Sequence, residues 1–129
     1  MNTIIEMYFN SVEIKLIGSP VIDAYRILRR DITPADGKLR IKASLINGDI
    51  LEMFEYVTES GGKIQVPKYS FHWQDEAGQL RHRWDNAPHH PELPNFPHHV
   101  HYEDGRVEGL AKMPGTISII ENLEKTIRI

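Results

Sequence analysis

Along Thr3 to Leu16 the apolar residues Ile4, Ile5, Tyr8, Phe9, Val12 and Leu16 recur at helical spacing, which predicts a helix with one buried stripe. Thr3 and Glu6 stand in capping-box positions, Gly18 offers an end, and Pro20 blocks resumption. From Val21 the period changes to two. Val21 to Ile32 reads as a strand carrying Arg26, Arg29 and Arg30, with a turn expected at Asp36-Gly37. Leu39, Ile41, Ala43 and Leu45 then alternate with Arg40, Lys42 and Ser44, the pattern of a strand with one buried face. Asn47-Gly48 is the strongest hairpin signal in the chain. The strand after it, Ile50 to Thr58, alternates less cleanly because Glu52 and Glu55 fall on opposite faces, and Glu59 to Gly62 reads as a loop.

From Ile64 to Gln74 a further strand puts Tyr69, Phe71 and Trp73 on one face and Ser70, His72 and Gln74 on the other. After the Asp75 to Gly78 turn, Leu80, His82 and Trp84 share a face, with Arg81, Arg83 and Asp85 opposite. Asp104-Gly105 closes a small hairpin. Ser118-x-x-Glu121 is a second capping box, followed by the helical stripe Ile119, Ile120, Leu123 and Ile127. Strands joined in succession by tight turns favour antiparallel pairing. The expected fold is therefore α+β, one domain over residues 1–129. It is an antiparallel meander of about four to five strands flanked by an N-terminal and a C-terminal helix, one sheet face left open. Tyr69, Phe71, Trp73 and Trp84 are expected in the core rather than as base-stacking rings, and Arg26, Arg29, Arg30 and Arg40 on a solvated face, with tracking of a nucleic-acid backbone as their secondary role.

The chain has 129 residues, enough to bury a real core, and a formal net charge of −3. That balance gives no support to a broad polyanion-binding surface, although it allows a local basic patch. Cysteine is absent, which excludes disulfides and thiolate metal sites and suits a reducing cytoplasm. No basic, apolar leader pattern and no membrane-length apolar window occurs, so a soluble cytoplasmic protein is expected.

One stretch stands apart, Arg81 to His101, RHRWDNAPHHPELPNFPHHVH. It holds six of the seven histidines, all but His72, and four of the eight prolines. Proline fixes φ and removes a backbone donor, so the Pro88 to Pro97 part reads as a stiff loop folding back over the sheet. Imidazoles clustered in this way carry protons or bind metals. Without a metal, strand cleavage of RNA by its own 2′-hydroxyl needs a base, an acid and a cation against the developing charge. His89, His90, His98, His99 and His101 are the pool for that acid–base pair. Arg81 and Arg83 are the phosphate contacts, because a guanidinium holds phosphate oxygens bidentately. Asp85 serves as a carboxylate that orients an imidazole. His72 and His82, each on a strand, are expected to be structural. No cofactor is required on this reading.

With a metal, zinc or manganese, His99 and His101 could share one ion because they lie two apart on extended chain. The third ligand would come from His89, His90 or Asp85, and the candidate set is His89, His99 and His101. His98 and His99 point to opposite sides and could not share an ion. No established zinc-hydrolase spacing is present. A third class is a non-catalytic binding protein whose loop docks a partner.

The run Arg83-Trp84-Asp85-Asn86-Ala87-Pro88-His89-His90-Pro91, then Phe96-Pro97-His98-His99-x-His101, resembles the signature of the TumE-like toxin family of prokaryotic toxin–antitoxin modules. Tyr69-x-Phe71-His72-Trp73-Gln74-Asp75 and the Gly78 turn are similar to the strand preceding that signature, and the likeness covers nearly the whole chain. What the resemblance implies is a small cytoplasmic toxin of a type II-like module, neutralised by a cognate antitoxin encoded beside it. It supplies no catalytic assignment. Together with the residues, it leads to a toxin expected to act on RNA as a ribonuclease. The alternatives are a histidine-ligated metal-dependent hydrolase and a non-catalytic binder, and a homo-oligomer is compatible with each.

Overall fold

Asn2, not Thr3, caps the first helix. Its side-chain oxygen accepts a hydrogen bond from the Ile5 amide at 3.0 Å, so the expected Thr3/Glu6 box gives way to a cap one residue earlier. The computed structural model describes residues 1–127, and the last two residues of the expected 1–129 domain lie outside the described residues. Helix α1 runs Thr3–Gly18 and buries Ile5, Phe9, Val12 and Leu16, while Ile4 stays partly exposed. A second helix, α2, spans Thr116–Thr126, with Gly115 as its N-cap in place of the expected Ser118. Ser118 still serves the cap from inside the helix, accepting from the Gly115 amide at 2.9 Å.

Between the helices run β1 (Ile22–Ile32), β2 (Asp36–Leu45), β3 (Ile50–Ser60), β4 (Lys63–Gln74), β5 (Leu80–Asp85), β6 (His99–Tyr102) and β7 (Val107–Gly109). They form one antiparallel sheet in sequence order, β1 to β7. Seven strands exceed the four to five expected, and the surplus is β6 and β7, the two arms of the small hairpin expected at Asp104-Gly105. Strands of four and three residues are too short to show a period. They exist because the β5 edge offers unpaired backbone groups that these segments satisfy.

The Asp36-Gly37 turn is also corrected. The chain reverses earlier, where the Thr33 amide bonds the Asp36 carbonyl at 2.9 Å, and Gly37 lies inside β2. A Cβ at Gly37 would come within 2.7 Å of Ile5 and 3.0 Å of Phe9. Glycine there lets α1 press onto the sheet. Glu59 and Ser60, expected in a loop, belong to β3.

Both helices cover one face. Beneath them lie Leu39, Ile41, Ala43 and Leu45 of β2, Leu51, Met53 and Val57 of β3, and the rings of Tyr69, Phe71, Trp73 and Trp84. The aromatic residues are core, as expected. Burying a carboxylate requires hydrogen bonds to offset lost hydration, and Glu55, 2% exposed, meets that demand. It accepts the Tyr8 hydroxyl of α1, the Thr116 amide at 3.0 Å and the Thr116 hydroxyl at 2.6 Å. The irregular alternation of β3 thus has a cause: Glu55 ties both helices to the sheet. Among the described residues no helix is long and apolar enough to cross a membrane.

Replacing Glu55 by Gln puts an amide among three donors and leaves at least one unpaired. Glu55→Gln should lower unfolding free energy by about 1–3 kcal/mol, read as a shifted urea midpoint with little change in slope.

Candidate active site

The register of the sheet assembles the open face in rows. The Asn47-Gly48 hairpin pairs Arg40 with Phe54 and Lys38 with Tyr56. β4 continues these rows with Ser70 and Lys68. Beyond Ser70 comes Asp85, then His99, then Gly109. The neighbouring row runs Glu52, His72, Arg83, His101. Residues on one row and one face become neighbours although they are far apart in sequence.

Gly109 ends its row, and the Pro88 to Pro97 loop crosses there. A Cβ on Gly109 would lie 1.9 Å from the Pro94 carbonyl oxygen, so only glycine admits the loop at this height. The loop thereby sets His90 against β6. Its ring centroid is 5.0 Å from that of His99 and 5.6 Å from that of His101, and the last two are 4.9 Å apart. A ligand nitrogen from each of the three lies within 4.8 Å of the others.

His99 is 2% exposed, and both its nitrogens are accounted for by position. Nδ1 lies 2.8 Å from the Pro97 carbonyl oxygen. A carbonyl can only accept, so Nδ1 carries an N–H and Nε2 turns into the cluster. Nε2 comes within 3.0 Å of Asp85 Oδ1, yet it has no hydrogen bond of acceptable alignment. Asp85 is 6% exposed. Its Oδ1 accepts the Ala87 amide at 3.0 Å, and its Oδ2 accepts Arg83 Nε at 3.0 Å and lies 3.8 Å from His101 Nε2. Arg83 also donates through Nη1 to His72 Nδ1 at 3.2 Å, while His72 Nε2 donates to Gln74 Oε1 at 3.1 Å. His72 is thus a neutral acceptor that helps aim Arg83. Burial, reinforced by the neighbouring cationic groups, outweighs Asp85 and holds the His101 imidazole below its ordinary range.

The other candidates lie elsewhere. His89 is exposed and outside the cluster. His98 points the opposite way from His99, as expected, and its Nδ1 meets the Tyr69 hydroxyl at 2.8 Å. Burial first, and Asp85 second, raises the Tyr69 pKa, so that phenol keeps its proton. Arg81 occupies a bulge where the β4–β5 register slips between Trp73 and Gln74. Its Nε lies 3.3 Å from the buried Asp49 carboxylate, which also accepts the Trp73 indole. The slip separates Arg81 from Arg83. His99 and His101, expected in the loop, stand on β6. His82 is packed edge-on against Trp73, Trp84 and Tyr102 at 5.3, 5.3 and 5.0 Å.

Alongside Arg83 and Asp85 opens a groove of about 650 Å³, lined by Arg29, Lys38, Arg40, Lys68, Phe54 and Tyr56 among others. The Arg40 guanidinium sits 4.6 Å over Phe54 and the Lys38 ammonium 5.9 Å over Tyr56. Asp36, the other acid there, is committed to Thr33 and Tyr56. Arg29 and Arg40 stand on the solvated face where they were expected, whereas Lys38, Lys68, Phe54 and Tyr56 carried no sequence signal of their own. The hairpin register carries the missing signal, since it sets Phe54 opposite Arg40 and Tyr56 opposite Lys38.

The fold and this face define a small α+β protein with a basic, aromatic groove that leads to an imidazole–carboxylate–guanidinium cluster. The chain belongs to the TumE toxin family, whose model, described as Toxin TumE, matches residues 12–129. No curated protein and no solved structure matches it. Membership points to a toxin of a toxin–antitoxin system and implies an antitoxin as its partner.

Gly109→Ala should displace the loop and, with it, His90. The expected readout is faster proteolysis between residues 86 and 98 and altered His90 imidazole resonances, with the sheet's amide protection retained. A second prediction concerns pH. Burial lowers the pKa of His72 and of His82 from the ordinary 6.5. The unfolded chain then binds protons that the folded one refuses. This stabilising contribution is full above about pH 6.5 and is lost as pH falls through the folded values. Urea midpoints should fall between about pH 7.5 and 5.5, and His82→Gln should flatten that fall.

Proposed function

We propose that this chain is a toxin that disables its host by cleaving RNA, with the strand held in the basic groove and the scissile phosphate at the histidine cluster. The observation that carries the reading is the adjacency of the two features. Five cationic side chains, Arg29, Lys38, Arg40, Lys68 and Arg83, gather on one face of a protein whose net charge is −3. Arg29, Arg40 and Arg83 have acidic neighbours in Asp31, Glu52 and Asp85, and the local positive surplus that remains with Lys38 and Lys68 is complementary to a polyanion. Phe54 and Tyr56 offer rings to unstacked bases, which favours a single strand over a duplex. RNA also carries its own nucleophile. Its 2′-oxygen attacks phosphorus and loses a proton to a base, the P–O5′ bond breaks, and the leaving oxygen takes up a proton from an acid.

The cluster supplies what that step needs. Arg83, anchored on Asp85 and His72, lines the groove, and its remaining guanidinium nitrogen, without a partner among the described residues, can meet a phosphate oxygen. The imidazoles handle protons and charge, directly or through a bound ion. Asp85 positions Arg83 and His99 rather than meeting the strand, because it is buried beneath them.

Inducing the chain alone in a bacterial host should arrest growth, and co-expressing the antitoxin should restore it. Purified protein incubated with single-stranded RNA should yield fragments ending in 2′,3′-cyclic phosphate. His101→Ala should slow cleavage by about 10²–10⁴-fold. Arg83→Lys should also be damaging, since lysine cannot bond Asp85, His72 and phosphate together. His89→Ala should leave the rate unchanged. Intact RNA after incubation with soluble, growth-arresting protein would overturn the nuclease reading and leave the toxin one.

A further inference from the structure

We infer that His90, His99 and His101 form a binding site for one divalent transition-metal ion, zinc foremost, with Asp85 as the carboxylate beside it. The decisive atom is His99 Nε2. It is buried, it lacks an aligned hydrogen bond, and it faces a carboxylate oxygen at 3.0 Å. With an N–H on Nδ1 directed at the Pro97 carbonyl, Nε2 is the nitrogen left to meet Asp85, and it makes no aligned hydrogen bond there. Nε2 and the facing carboxylate oxygen are thus a buried pair without an aligned hydrogen bond, an arrangement that costs free energy. A cation between them reverses the sign of that interaction.

The surroundings match what a metal requires. Three imidazole nitrogens converge within 4.8 Å, a spread that small side-chain rotations close to fit zinc–nitrogen bonds of about 2.0–2.1 Å. Three histidines are a known zinc donor set that keeps a position open for water or substrate. An imidazole donating its other N–H to a backbone carbonyl, as His99 does to Pro97, is the usual outer support of a metal ligand. Arg83 and the Ala87 amide fix Asp85 in the same manner. Borderline-soft imidazole ligands favour zinc and its transition-metal neighbours over magnesium or calcium. The ligands arrive by separate routes: His99 and His101 by the two-residue repeat of β6, and His90 by the crossing that Gly109 permits. His89 is exposed and His98 is engaged by the Tyr69 hydroxyl, and neither belongs to the converging set.

The site stands on the geometry of the cluster alone; only its use in RNA cleavage rests on the preceding reading. A metal there would polarise a phosphoryl oxygen at the mouth of the groove. The test uses full-length protein stripped with chelator, dialysed and titrated with zinc by calorimetry and with cobalt(II) by visible absorption. One equivalent should bind per chain, and cobalt should develop the d–d bands of a nitrogen-ligated, low-coordinate site. His90→Ala and His101→Ala, both at half-buried positions that leave the core intact, should each weaken binding by more than the about 10–100-fold that outer-shell changes cost. His89→Ala and His98→Ala should keep it. Circular dichroism of each variant reports folding separately. No uptake, or uptake that survives His90→Ala and His101→Ala, would overturn the site. RNA is assayed in the same samples. Metal bound without cleavage sinks the nuclease reading and keeps the site, whereas cleavage by metal-free protein that takes up no metal does the reverse.

Discussion

A carboxylate removed from water must find positive charge or hydrogen-bond donors, and the open face of this protein is arranged around how Asp85 does so. It sits at the last residue of β5, 6% exposed. Arg83 two residues before it, the Ala87 amide two residues after it, and His99 and His101 across the strand pair all converge on its two oxygens. Burying one member of such a set binds the others to fixed positions, because each would leave an uncompensated charge if it turned away. Arg83 is thereby aimed at the groove and the imidazoles at one another. A cluster built in this way is preorganised before any substrate arrives, the condition under which electrostatic stabilisation is most effective.

The other face solves the same problem with a different outcome. Glu55 is also a buried carboxylate, but hydroxyl and amide donors from α1 and α2 surround it, and among the described residues no guanidinium or imidazole reaches it. Its role is to dock both helices on the sheet. Asp49 does comparable work at the far end of β4 and β5, accepting the Trp73 indole and holding Arg81. Three buried acids therefore mark three jobs: closing the core, pinning a bulge and organising a reactive face. Only Asp85 has both imidazoles and an adjoining groove.

Charge distribution joins the cluster to the groove. With 15 basic and 18 acidic side chains the protein as a whole repels polyanions weakly, so any attraction must be local. The rows of the sheet supply it, placing Lys38, Arg40 and Lys68 on the same side as Phe54 and Tyr56. The exposed cations are screened by salt and add little to stability. Their value lies in a shared direction.

Much of this was legible in the chain itself. The period-two runs fixed which side of β2, β4 and most of β5 faces the core. Asn47-Gly48 marked the central hairpin, and the proline-spaced histidines marked the unusual segment. The parity of His98, His99 and His101 also decided which could share a partner, since extended backbone alternates its side chains. Parity within a strand is local, and sequence carries it. Asp104-Gly105 marked the hairpin that joins β6 and β7, but strands this short show no period of their own, and the Arg81 bulge shifts a face without any residue that signals it. The choice of His90 over His89 depends on Pro94 settling over Gly109, more than a dozen residues away in the chain. Which carboxylate would be buried among donors and which among imidazoles depends on the same pairing between strands. Such contacts are set by register and by space, and neither exists until the sheet has formed.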